Sequence, residues 1–176
     1  MNSFVNLKIN LAYAEVVVFF IIIIFLFLSL LLEKNKLKIL NNSLIVFLIG
    51  FGSFLIYDSM SIDTTYILNR MYVTDSMSYF LKGICSIVVA FTLFYSERYL
   101  NELNIPSPEF VLLALFGLLG QFIMLSAHHL LTIYLGIELL SLSLIACVAL
   151  NRDSKISVEA AMKYFVLAAL ASGFLL

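Results

Sequence analysis

The sequence predicts an all-α, polytopic transmembrane bundle of about six helices. Three observations carry that prediction. Of 176 residues, 63% are hydrophobic and 12% charged, with mean hydropathy +1.09, well outside the usual range of soluble domains. Apolar runs of roughly 20 residues recur, the length that crosses about 30 Å of hydrocarbon. The alternation of polar and apolar residues that marks a transmembrane β-barrel is absent. A net charge of −1 leaves no basic footprint for nucleic acid. Cys85 and Cys147 lie in apolar runs without CxxC or metal spacing, so neither a disulfide framework nor a zinc site is expected.

The first span runs from Leu11 to Leu32, and between Val16 and Leu32 its sole polar residue is Ser29. It has no basic leader and no small-residue cleavage site, which makes it a retained span and not a signal peptide. Five more follow at about 39–57, 76–95, 109–127, 130–150 and 157–176. Pro106 and Pro108 are placed in a loop ahead of span four, where they are tolerated. Lys34, Lys36, Lys38, Arg98, Arg152 and Lys155 fall on one side of the membrane, against Lys8 and Arg70 on the other. That bias puts the N-terminus outside and makes Asp58 to Asp75 an outer loop. Two regions are expected: 1–108 with helices one to three and outer loop 58–75, then 109–176 with helices four to six. Span six closes at Leu176 with no charged or aromatic anchor, so the natural chain is expected to continue.

Ionisable groups inside spans are candidate sites by default. Glu138 is the strongest. It lies about eight residues into span five, roughly 12 Å deep and beyond the interfacial reach of a short carboxylate. A proton or ion pathway is preferred over a helix–helix hydrogen bond. Lys163, about six residues into span six, is also read as a pathway group, with a snorkelling anchor as its rival. The two are offset along the membrane normal, so a direct salt bridge between them is not expected. Lys82 and Glu15 lie near the outer interface and are read as snorkelling residues.

His128 and His129 make the tight outer connection between spans four and five. A plain interfacial turn is preferred, with proton exchange at a pathway mouth as the alternative. Ser141 and Ser143 could hydrogen-bond across helices or hold water beside Glu138. The pairs Ala168/Ser172 and Ala169/Gly173 have the four-residue spacing that lets helices approach closely. No phosphate loop, haem ligand pair or iron–sulfur cysteine set is present in the sequence, so no redox cofactor is expected in this chain.

One stretch runs from His129-Leu-Leu-Thr-Ile-Tyr-Leu-Gly-Ile-Glu138 through the Asn151-Arg152-Asp153-Ser154 loop to Ser157-Val-Glu159-Ala-Ala-Met-Lys163-Tyr-Phe and Gly173. It closely resembles the N (chain 2) subunits of proton-pumping NADH–quinone oxidoreductase, respiratory complex I, in the antiporter-like group. Asp75-Ser-Met-Ser-Tyr-Phe-Leu-Lys82 resembles the start of the third helix of that family more weakly. The resemblance implies an inverted-repeat helical fold and a non-redox translocase subunit coupling quinone reduction to proton transfer. Glu138 matches a fifth-helix glutamate governed by a lysine on a broken seventh helix. Lys163 matches the lysine of a Met-Lys-Tyr-Phe motif on the sixth helix. NAD, FMN, iron–sulfur clusters and quinone would belong to the rest of the complex. The implied partners are its neighbouring membrane subunits and the lipid bilayer. The implied location is a bacterial plasma (inner) membrane, or an organelle inner membrane. The alternatives are a subunit of a multisubunit cation/proton antiporter and a structural membrane scaffold.

An open reading frame that continues past the Leu176 codon into a lysine-bearing hydrophobic span is the expected outcome of sequencing the downstream DNA. An immediate stop codon would contradict it.

Overall fold

In the computed structural model, which describes residues 12–32, 34–67, 70–102 and 107–175, six long helices carry almost the whole chain. They are α1 (Tyr13–Leu31), α2 (Lys34–Asp58), α3 (Ser76–Glu102), α4 (Ser107–Leu125), α5 (Leu130–Val148) and α6 (Lys155–Leu175). Each is long and apolar enough to cross a membrane. Phe19, Phe20, Ile24, Phe27 and Leu30 of α1 are exposed, as are Val46, Phe91, Phe94 and Leu167 on other helices. Apolar surface on that scale suits hydrocarbon as the surrounding solvent and not water.

Helix boundaries differ from the sequence expectation in particular places. Helix α2 begins at Lys34, so Lys36 and Lys38 ride on its first turns instead of in a loop. Pro108 is not ahead of the fourth helix but in its first turn, where a missing N–H costs no intrahelical bond. Lys8, Leu11, Pro106 and Leu176 lie outside the described residues. Asp75 starts α3 as a side-chain cap: its Oδ1 accepts from the Ser78 N–H at 2.9 Å, and Ser78 Oγ donates back to the Asp75 carbonyl at 2.9 Å.

The expected outer loop is not irregular throughout. It folds into an antiparallel hairpin, β1 (Thr65–Ile67) with β2 (Tyr72–Thr74), and Arg70 adopts φ 68° beside its turn. The hairpin lies over the α4–α5 turn. Val73 N–H donates to the Ser126 carbonyl at 2.8 Å, and His128 N–H donates to the Met71 carbonyl at 3.0 Å.

Helix α4 is the centre of the bundle and packs against α1, α2, α3 and α5. Its buried face of Val111, Leu115, Leu118, Leu119 and Phe122 shares one core with α1 residues Ala14, Val18, Ile22 and Phe25. That α1 stripe has the three-to-four-residue spacing of a helix face. Helix α6 packs on α5 and buries little more than Ala161.

Two helix pairs touch backbone to backbone. A Cβ on Gly52 of α2 would stand 2.7 Å from the Gly83 carbonyl of α3, and one on Gly83 would stand 2.7 Å from the Gly52 carbonyl. Between α4 and α5, a Cβ on Gly120 would meet Leu140 N at 2.8 Å, and one on Gly136 would meet Met124 N at 2.9 Å. The close approach expected of span six is not seen in this chain. Gly173 has nothing within 4 Å, and Ala169 is exposed. The face is apolar and small, but no described helix covers it.

Gly120→Ala is expected to destabilise the bundle by about 1–3 kcal/mol, because backbone atoms of α5 cannot yield as side chains do. Gly173→Ala should be neutral or slightly stabilising, since alanine favours a helix by roughly 0.5–1 kcal/mol. Thermal unfolding of the detergent-solubilised protein checks both, and equal effects at the two sites would refute the backbone-contact reading.

Candidate proton-pathway residues and a buried ion pair

Glu138 stands midway along α5 and is half-buried. Two residues before it, and so on roughly the opposite side of α5, Gly136 makes the close contact with α4. Among the described residues its carboxylate makes no hydrogen bond or ion pair. The neighbouring hydroxyls serve their own helix: Ser141 Oγ donates to the Glu138 carbonyl at 3.0 Å and Ser143 Oγ to the Leu140 carbonyl at 2.8 Å. The expected cross-helix bonds from these serines are therefore not made, because a mid-helix hydroxyl finds the carbonyl one turn back first.

Lys163 does not meet Glu138. Its side chain is 72% exposed and lies 2.7 Å from Glu159, one turn earlier on α6. The i,i+4 spacing of an acid before a base was the available signal for this pair. His129 caps α5, its Nδ1 accepting from the Leu131 N–H at 3.2 Å. The His128 ring lies 5.0 Å from that of Tyr66 in the hairpin. The two histidines thus hold separate structural contacts at the hairpin end. At the opposite end, Arg152 reaches Glu109 at 3.2 Å across exposed surface, a contact worth little in stability.

The expectation for Glu15 and Lys82 is overturned. Neither side chain snorkels: Lys82 is 0% exposed and Glu15 is 12% exposed, with Nζ 2.6 Å from Glu15 Oε1. Lys82 occupies the buried stripe of α3 with Ser86 and Ala90, facing α1 and α4 and not lipid. Rings of Tyr79, Tyr72 and Phe122 surround Nζ, with centroids at 4.9, 5.6 and 5.9 Å, close enough for cation–π attraction. The Tyr72 hydroxyl donates to the same Glu15 oxygen, and the Tyr13 hydroxyl donates to Asp58 at the end of α2. Burial, with the Glu15 carboxylate alongside, pushes the Tyr72 phenol far above the ordinary tyrosine range. Helical depth alone could not reveal this site, because the hairpin that roofs it comes from a loop.

Residues 127–176 match the family described as NADH:quinone oxidoreductase/Mrp antiporter, TM. Over 116 residues the chain is 53% identical to a protein of Nitrosomonas europaea named NADH-quinone oxidoreductase subunit N. The chain is a homologue of NADH-quinone oxidoreductase subunit N. That alignment covers 66% of this chain and 24% of the relative. A Thiobacillus denitrificans subunit N is 55% identical over 109 residues, covering 62% of the chain and 23% of the relative. An Azoarcus subunit N is 42% identical over 132 residues, covering 75% and 27%. The chain thus matches about a quarter of the length of its curated subunit N relatives. Residues 127–176 contain α5 and α6 whole, and with them Glu138, Glu159 and Lys163.

Tyr72→Phe keeps the ring over Lys82 and deletes the hydroxyl that serves Glu15. The expected cost is about 1–3 kcal/mol, the usual range for a hydrogen bond to a buried charged group. Thermal unfolding checks it; an unchanged transition would mean that the hydroxyl contributes nothing.

Proposed function

We propose that this chain is part of a membrane subunit that translocates protons in NADH–quinone oxidoreductase and carries no redox centre itself. The observation that carries this reading is the position of Glu138. A carboxylate midway along a membrane-length helix, half-buried and unpaired among the described residues, lies within the region that matches the antiporter family. Such a group is costly in hydrocarbon unless it meets water or a mobile cation.

In this reading the functional cycle is electrostatic. A cation brought near a buried carboxylate favours its charged form, and withdrawing that cation restores the proton-binding form. Alternate pairing and unpairing of Glu138 would take up a proton on one side and release it on the other. Lys163, with Glu159 beside it on α6, supplies charge on the neighbouring helix. His128 and His129 stand at the hairpin end of α5, where the pathway would open. Residues 109–176 would be the start of the translocating repeat, and 1–108 would flank it. The reading places the chain in a bacterial inner membrane with its N-terminus outside, against neighbouring membrane subunits of the complex. The family description also names Mrp antiporters, but the relatives at 42–55% identity carry the subunit N name, which favours the respiratory complex.

Glu138→Gln preserves shape and removes the charge. In the full-length subunit it is expected to lower proton translocation roughly tenfold, the effect of about 1.4 kcal/mol on a barrier, while the complex still assembles. Proton uptake into inverted membrane vesicles, scored against assembled complex, checks this; unchanged pumping would overturn the pathway role. Lys163→Met should produce a smaller loss, and quinone reductase activity at the wild-type level would reduce Lys163 to an interfacial anchor.

A further inference from the structure

Helix α3 carries a lysine that the mechanism above does not use, and its surroundings are unusual for a residue that only holds helices together. Lys82 Nζ lies 2.6 Å from Glu15 Oε1 and makes no hydrogen bond to any other described residue. Glu15 Oε2 and Ser86 Oγ are likewise buried with no hydrogen-bond partner among the described residues, and Ser126 Oγ lies beside Tyr72. Buried polar atoms in folded proteins are nearly always satisfied, commonly by an internal water where no side chain reaches. These polar side-chain atoms stand beside a buried ion pair, close enough in the bundle for protons to pass between them through water.

The order of the groups along α3 adds direction. Tyr72 of the hairpin roofs the site and donates to Glu15. Lys82 lies beneath it, and Ser86 follows one turn deeper on the same buried face of α3. Each of these side chains can both give up and take a proton. A clamp alone would not need charges, since buried ion pairs can often be replaced by apolar residues without loss of stability. The aromatic rings attract the ammonium without accepting a proton from it.

We propose that Glu15 and Lys82, with Tyr72 above and Ser86 below, form a second proton-exchange site at the hairpin end of the bundle, distinct from Glu138. The step is a single proton transfer. An N–H bond of the Lys82 ammonium breaks as an O–H bond forms on Glu15, and the ion pair becomes a neutral acid and amine with no electron moved. The Tyr72 O–H then turns from Glu15 to a water on the hairpin side, gives that water its proton and takes the Glu15 proton in its place, and the amine takes a proton from a water on the Ser86 side, which restores the ion pair. The other titratable groups at this site are Tyr13 on α1, Asp58 of α2 bonded to it, and Asp75 and Tyr79 of α3. Helix α4 contributes the neutral Phe122 and Ser126. The activity arm of the test rests on the translocation reading given above; the chemical arm does not.

The variant to make in the full-length subunit of the assembled complex is Glu15→Gln with Lys82→Met, which removes both charges at similar volume. It should assemble and reduce quinone while pumping at most half the wild-type protons per NADH. A wild-type ratio, in a preparation where Glu138→Gln does lower pumping, overturns the proposal. If Glu138→Gln leaves pumping intact, it is the translocation reading that fails, and the second arm decides. An apolar carbodiimide modifies protonated carboxyls in membranes, so the unmutated complex is treated in mildly acidic and mildly alkaline buffer and the adducts are mapped by mass spectrometry. A Glu15 adduct that forms in acid and not in alkali supports exchange at this site. Glu15 unmodified in both buffers means a permanent ion pair and overturns it, whether or not the double variant assembles.

Discussion

A lysine held out of reach of water has to be surrounded by groups that tolerate its charge, and that requirement organises the hairpin end of this bundle. Lys82 draws a carboxylate from α1, two tyrosine rings from the hairpin and its own helix, and a phenylalanine from α4. None of these would need its present position if residue 82 were leucine. The hairpin is then anchored twice, by the Tyr72 hydroxyl below and by backbone bonds to the α4–α5 turn. An apolar contact has no preferred direction, so it could not fix this arrangement as a charge does.

Elsewhere the bundle is assembled by shape. In hydrocarbon there is little apolar driving force between helices, and close backbone approach takes its place. The reciprocal glycine contacts join α2 to α3 and α4 to α5, which makes two tight helical hairpins around the central α4. Helix α1 completes the core with a stripe of branched and aromatic side chains. Helix α6 is held more loosely, along one side of α5.

The proposed pathway residues occupy the more open half of the structure. Glu138 lies two residues from the Gly120–Gly136 contact, on roughly the opposite side of α5, and its carboxylate has no partner among the described residues. Lys163 on the exposed flank of α6 is paired with Glu159. The two sites therefore treat charged side chains differently, Lys82 enclosed by aromatic rings at the hairpin end and Glu138 half-buried midway along α5.

The number, length and order of the six helices were legible in the sequence, because apolar run length is set by bilayer thickness and needs no tertiary information. So was the mid-helix position of Glu138, since depth along a helix follows from counting residues, and so was the family resemblance over the last two helices. Helix ends at Lys34 and Pro108 were less legible, because polar residues continue a helix past the hydrocarbon and proline is tolerated in a first turn. The pairing of Lys163 with Glu159 could have been read from its spacing, whereas that of Lys82 with Glu15 could not. Sequence gives a residue its depth but not the side of the helix that meets a neighbour. Whether Lys82 reached water or faced a carboxylate 67 positions earlier was decided only when α1, α3 and the hairpin packed together.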